Sequence, residues 1–441
     1  MSEGIKEKNM KKKLIILMAA LLLALALAGC GKTNEEPAPL PEETAPAESE
    51  TPVPEETPEP LPEETPEPEV TPEPEPEYDF EAEEVSLRAP GNGGLLDGSQ
   101  YYVQTVMADS PVEISAETPF SRLYILWHNM PDEWYLSTDG ENYETVENQV
   151  FLHQCYDLPE PTDRLYLKVP EDSAICELYA FTEGNYPDWV QQWSLMEGEA
   201  DILMFPTHAD DEWCFFAGIV PLYAGELGYK VQVVYMTNHV YGDGVYRVHE
   251  LLNGLWYAGE RYYPEINYDA VDRMFDSYYE AQNFYGEENF IGFQVEMIRK
   301  YQPLVVVGHD LNGEYGHNTH KLNGRCLPKA VELAADSSEF PESAETYGAW
   351  DTQKMYIHLY GENQIFIDGF DEPLDAFDGK TAMEVAVQAL KYHVTQINYS
   401  YVRQGGTQDS HVFGLYRTTV GEDVLKNDLL ENTSRELYNE D

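Results

Sequence analysis

The stretch from Ala200 to Glu212, Ala-Asp-Ile-Leu-Met-Phe-Pro-Thr-His-Ala-Asp-Asp-Glu, constrains this chain more than any other. Ile202 to Phe205 is an apolar run with the length and flanks of a buried strand, and it delivers an imidazole and three carboxylates to its end. His208 and Asp211 have the spacing that lets both converge on one metal where a strand turns into a helix. Asp210, between them, is left for other work. A second cluster, His309 to His320, follows the apolar run Leu304 to Val307 and can supply a further ligand at another strand end. Asp201–Phe205, Val231–Met236 and Leu304–Val307 read as strands, and Asp211–Glu226, Val248–Glu260 and His320–Ala335 as helices between them. That alternation predicts an α/β domain: a Rossmann-like parallel sheet with helices on both faces and ligands at the carboxyl ends of the strands. Pro221 is expected to kink the first helix. Thr381–His393 reads as a further helix.

The two clusters read His208-Ala-Asp-Asp-Glu212 and Gly316-His-Asn-Thr-His320. Together they resemble the PIG-L/LmbE family of zinc-dependent N-acetylglucosaminyl deacetylases, with Ala209 where that family prefers proline and Thr319 where it usually has aspartate. Two separated motifs in the right order are far more specific than either alone. The resemblance covers residues 189–441 and implies Zn²⁺ held by His208, Asp211 and His320, although another divalent metal fits the same donors. Hydrolysis of an amide needs a base for the attacking water and an acid for the departing amine. Asp210, beside a ligand but not one itself, is the candidate base. His317 is the candidate to hydrogen-bond the oxyanion or hand a proton to the amine. Tyr315 is a candidate oxyanion contact or an ordinary packed tyrosine. Arg247, in Arg-Val-His-Glu250, resembles the family arginine that grips sugar oxygens; the competing reading is an ion pair with Glu250 along one helix. Glu212 is expected to brace the loop through backbone N–H groups, and His249 and His309 to be supporting residues.

The remainder of the chain places this domain. Lys11-Lys-Lys13 precede the apolar run Leu14 to Ala28, which is too short to span a membrane easily and suits a signal sequence. Residues 1–30 end Leu27-Ala-Gly-Cys30, resembling a bacterial lipoprotein signal in which Cys30 is lipidated; an uncleaved anchor is the rival reading. Either reading puts the bulk of the chain outside the cytoplasmic membrane, held to it at its N-terminus. Residues 31–84 are rich in Pro, Glu and Thr and cannot bury a core. They should form an extended linker that reaches on the order of 150 Å at about 3.1 Å per residue. Residues 85–188 carry short alternating runs such as Arg122 to His128 and Arg164 to Val169, which predict a smaller all-β sandwich. This segment loosely resembles galactose-binding-like, discoidin-type modules, in which exposed Trp and Tyr stack on sugars; Trp127 and Trp134 fit that role or a core. Cys155 and Cys176 are a possible disulfide or a pair of buried thiols. A net charge of −55 repels phosphates and excludes nucleic acid as a partner.

The leading expectation is therefore an exported hydrolase that removes an acetyl group from an N-acetylglucosamine-containing glycan, glycolipid or saccharide. The rival readings are a surface carbohydrate-binding lipoprotein with an inactive catalytic domain and a metal-dependent amidase acting on a non-sugar acetamide.

Overall fold

A computed structural model describes residues 78–129, 131–147, 150–239 and 244–438. The signal sequence with Cys30, and the linker up to residue 77, lie outside the described residues.

The first module is all β: β1 (Leu87–Arg88), β2 (Gln104–Val106), β3 (Val112–Asn129), β4 (Glu133–Ser137), β5 (Glu144–Glu147), β6 (His153–Lys168) and β7 (Ser173–Phe181). The long strands β3 and β6 build both layers. Their paired ends Val112–Ser115 and Arg164–Leu167 carry β1 and β4, while Arg122–Leu126 pairs with β6 on one side and β7 on the other. Register shifts between Ser115, Phe120 and Arg122 let the strand pass from one layer to the next. Trp127 and Trp134 meet edge to face at 5.9 Å, and both are fully buried. They are core residues, so the stacking role open to them in the sequence is closed. The module also begins earlier than residue 85. Ala82 N–H donates to Asn185 O and Thr182 N–H to Glu83 O, so residues expected in the linker form part of the sandwich.

The second module is built on β8 (Ile202–Met204), β9 (Val231–Tyr235), β10 (Glu265–Ile266), β11 (Val305–Gly308), β12 (Lys354–His358), β13 (Gln364–Phe366) and β14 (Val412–Thr418), in the order β10-β9-β8-β11-β12-β14-β13. The five strands from β10 to β12 are parallel, whereas β14 and β13 add antiparallel to one edge. Its helices are α1 (Asp211–Cys214), α2 (Gly244–Tyr257), α3 (Tyr278–Tyr285), α4 (Glu287–Tyr301), α5 (Asn318–Ala334), α6 (Pro341–Tyr347) and α7 (Ala382–Ala389). Successive strand residues point to opposite faces. Accordingly Ile202 and Met204 join a core shared with α2 and α7, while Leu203 joins one shared with α4 and α5. Each such fully buried aliphatic side chain contributes about 1.5–3 kcal/mol.

The helix expected over Asp211–Glu226 is interrupted. α1 ends at Cys214, and a wider helical segment, Val220–Glu226, starts with Pro221 in its first turn. Pro221 thus opens a new segment instead of kinking a continuous one, a position where its missing N–H costs nothing. Gly218 and Gly225 explain the close seating, since a Cβ on either would lie 2.4–2.5 Å from Phe370 or Phe377.

The two modules share one apolar cluster. At their junction the Phe151 and Tyr263 rings lie 5.1 Å apart, and His153 Nε2 faces His249 Nδ1 at 2.7 Å. Cys176 Sγ lies 3.6 Å from His249 Nε2, and Cys155 and Cys176 are not bridged to each other.

Candidate metal centre

β8 ends at Met204, and the loop after it is pinned from two sides. Asn323 Nδ2 donates to Phe205 O and Thr207 Oγ1, each at 2.9 Å, and Thr237 Oγ1 donates to Thr207 O. The chain then enters α1 through Asp210, whose φ of +117° is unusual for a residue with a side chain. Glu212 holds that turn by accepting the Asp210 N–H at 2.8 Å, and its other oxygen lies 3.0 Å from His393 Nε2.

Across the sheet, Glu314–Gly316 forms a tight turn before α5, with Tyr315 in the left-handed region at φ +45°. Gly313, at φ +71°, has no room for a side chain: a Cβ there would lie 2.5 Å from His317 O. Gly313→Ala is expected to disrupt the His317–His320 turn and lower metal affinity while the distant sandwich stays folded. Metal titration together with near-ultraviolet circular dichroism checks this, and unchanged affinity would contradict it.

These two loops bring His208, Asp211 and His320 together. His208 Nδ1 lies 2.9 Å from His320 Nε2, and Asp211 Oδ2 lies 3.3 Å from the first and 3.1 Å from the second. A tetrahedral ion with bonds of about 2.0 Å places its ligand atoms about 3.3 Å apart, so the triangle has the size of a zinc site. Two imidazoles and a carboxylate with donor atoms facing one another are a set that a cation reconciles. His208–His317–His320 and Asp211–His309–His320 also fall within 4.8 Å. His309 Nε2 lies 3.2 Å from Thr207 N and 3.4 Å from Asp211 Oδ2, and its Nδ1 faces Glu314 at 3.3 Å, a geometry that steers Asp211.

The surrounding charges fix the donors. His208 Nε2 faces Asp272 Oδ1 at 3.4 Å, an arrangement that puts its proton there and leaves Nδ1 free to ligate. Asp272 also faces His239 Nδ1 at 3.3 Å and Arg247 Nη1 at 3.6 Å. Burial opposes its charge, yet His208, His239 and Arg247 hold its carboxyl below the ordinary range.

Asp210 lies beside the triangle without entering it. Ser400 donates to its Oδ2, and Arg247 Nη2 lies 3.7 Å from its Oδ1. Burial, reinforced by the charge of Asp211, pushes its carboxyl up to about 6. His317 is lowered to about 3, by burial first and then by His208 and His320, and its Nδ1 is buried without a hydrogen-bond partner. Arg247 donates to Ala209 O and leans toward Asp210 and Asp272. Its expected partner Glu250 is engaged elsewhere, accepting from Thr395 N–H at 2.9 Å and from the Thr395 hydroxyl at 2.7 Å. Tyr315 is exposed at the rim, with its ring 5.6 Å from that of His320. A pocket of about 290 Å³ opens beside the donors, lined among others by Asp210, Phe215, Tyr315, Ser400 and Arg403.

Asp272, His239, Ser400 and Arg403 are absent from the sequence-derived set. His239 carried a signal, since it lies just past the carboxyl end of β9, where this sheet collects its polar groups. The other three come from segments without a motif.

Fold and donor set define a class: an α/β domain that gathers two histidines and a carboxylate, a set that could hold a metal, at the carboxyl ends of parallel strands. Within that class the C-terminal domain is PIG-L/LmbE-like. Its curated relatives include the 1D-myo-inositol 2-acetamido-2-deoxy-alpha-D-glucopyranoside deacetylase of Geodermatophilus obscurus, 38% identical over 31% of this chain and 50% of the relative. The protein of the same name from Rhodococcus erythropolis is 28% identical over 35% of this chain and 59% of the relative. The chain thus spans a little over half the length of these relatives. No family profile matches the chain. Among solved structures, the N,N'-diacetylchitobiose deacetylase of Pyrococcus horikoshii aligns at 16% identity and a TM-score of 0.32, over 44% of this chain and 70% of its own. A pectin-binding carbohydrate-binding module aligns at 15% identity and a TM-score of 0.19, over 24% of this chain and 96% of its own. Both likenesses are too distant to bear on the assignment.

Proposed function

We propose that this chain is a zinc-dependent hydrolase that removes the acetyl group from an N-acetylglucosamine-containing saccharide outside the cytoplasmic membrane. The observation that carries the reading is a donor triangle of zinc dimensions with Asp210 beside it and unused as a ligand. The names of the curated relatives, deacetylases of an acetamido-glucopyranoside, support the substrate class.

His208, Asp211 and His320 would hold the metal, and when bound it supplies Lewis acidity toward the amide carbonyl and the attacking water. Asp210 takes the proton of that water, a task suited to a carboxylate with raised proton affinity. His317, whose ring lies against those of His208 and His320, can hydrogen-bond the oxygen that gains negative charge or hand a proton to the amine. The proton acquired by Asp210 is also available to the leaving amine as the carbon–nitrogen bond breaks. Arg247, which leans on Asp210 and Asp272, would grip sugar hydroxyls as a donor, with Asp272 accepting. Tyr315 closes the rim.

The test is acetate release from N-acetylglucosamine conjugates, set against acetylated amines and peptides. Release from the sugars alone supports this reading, while release from the amines alone would replace it with a non-sugar amidase. A protein that binds the sugars and releases no acetate would be the inactive binding lipoprotein.

Export and anchoring are part of the proposal. No helix among the described residues is long and apolar enough to cross a membrane. Attachment is assigned to lipid on Cys30, so Cys30→Ala should lose metabolic lipid labelling and leave the membrane fraction. Unchanged membrane attachment without labelling would favour an uncleaved anchor.

A further inference from the structure

An open groove of about 1000 Å³, with none of the donor residues in its lining, lies beside the C-terminal end of α2 and the segment that joins the two modules. Trp189, 46% exposed, stands on one wall. Trp256 lies at the base with its indole N–H donating to Asp188 O at 2.7 Å, and the Arg261 guanidinium is stacked 3.9 Å over its ring. Arg261 Nη1 donates to the carbonyls of Trp256 and Glu260, which fixes that plate. Tyr257 and Tyr392, with ring centroids 5.7 Å apart, also line it, and Asn253 is held there by Gln191 and Gln100.

Exposed Trp189 with Tyr257 and Tyr392, interspersed with Asp188 and Gln192, match a ligand whose rings are apolar on their faces and hydroxylated around their rims. That description fits a glycan. The lining offers no strand edge to which an extended peptide could add. A lipid tail would want an unbroken apolar wall, which Asp188, Gln192, Asn253 and Arg261 interrupt. A polyphosphate is disfavoured by the net charge of −55.

Two stretches of chain join this groove to the metal pocket. α2 places Arg247 beside Asp210, which lines the pocket, and Trp256 in the groove nine residues on, a span of about 14 Å along a helix. The stretch from Tyr392 to Arg403 places its first residue in the groove and Tyr399, Ser400 and Arg403 in the pocket. We infer that the groove is a second saccharide-binding site that holds a neighbouring part of the same glycan, so that the substrate is an oligosaccharide or polymer and not a single sugar. This rests on the deacetylase reading for the pocket, while the groove itself can be tested without it.

The experiment uses the full chain in detergent and compares a β-1,4-linked N-acetylglucosamine pentamer with the methyl glycoside of the single sugar. Calorimetry on chelator-treated protein reads binding alone, and acetate release after zinc loading reads catalysis. The pentamer is expected to bind at least tenfold more tightly than the methyl glycoside. Trp189→Ala and Tyr257→Ala should each reduce that preference about tenfold, with the ratio of the two kcat/KM values falling in parallel. Equal binding of the two ligands would overturn the inference, as would variants of unchanged Tm that keep the full preference. Groove-dependent binding with no acetate release from any sugar would overturn the deacetylase reading and leave the second site standing.

Discussion

His320→Ala is expected to yield a folded protein that no longer retains zinc, with acetate release reduced to background. His320 is fully buried on the first turns of α5, and its Nε2 closes the donor triangle at 2.9 Å from His208 and 3.1 Å from Asp211. Removing an outer partner of a metal site costs about 10- to 100-fold in affinity or activity, and removing one of three direct ligands should cost more. The fold should tolerate the change, because α5 is anchored by Leu322, Leu327 and Val331 in the core it shares with α4. His208→Ala and Asp211→Ala should behave alike toward metal. Asp211→Ala carries an additional penalty, since Asp211 Oδ2 also accepts the N–H groups of Thr207 and His208 and so holds the loop. Stoichiometric zinc in purified His320→Ala, measured by atomic emission, would remove that residue from the centre.

Asp210→Asn is expected to separate holding the metal from using it. The amide keeps the size of the carboxylate and an oxygen that can accept from Ser400, while its basicity is gone. Zinc content and Tm should match wild type. Loss of a general base costs about 10²- to 10⁴-fold, and the loss should fall on kcat because the change leaves Arg247 and Asp272 in place. Equal acetate release by wild type and zinc-loaded Asp210→Asn would contradict the assignment. The role would then pass to His317, since Glu212 is committed to the Asp210 N–H and His393.

The division between what was legible in the sequence and what was not follows from the range of the interactions. Strands β8, β9 and β11 lie within a residue or so of their expected bounds, because each is a short β-branched or aliphatic run buried on both faces. The donors His208, Asp211 and His320 are fixed by local spacing at two strand ends and meet because β8 and β11 are neighbours. The wall of the pocket follows no such rule. Asp272 reaches His208 from a loop after β10, and Ser400 reaches Asp210 from a segment with no periodic pattern, so neither pairing exists until the sheet is assembled. The broken helix after Asp211 has the same origin. Gly218 and Gly225 make room for Phe370 and Phe377, residues some 150 positions away in the chain. The antiparallel strand β14 was hidden for a related reason: Val412–Thr418 alternates too weakly to stand out, and its place is set by pairing with β12.

The central claim is that a zinc ion at His208, Asp211 and His320 makes this chain a deacetylase of N-acetylated sugars. The most direct measurement is acetate release from an N-acetylglucosamine oligomer by one preparation, assayed as purified, after chelation, and after return of one equivalent of zinc. Release that disappears on chelation and recovers at one zinc per chain is the predicted result. Release at an undiminished rate from the zinc-free protein, or no release from the zinc-replete protein, would contradict it.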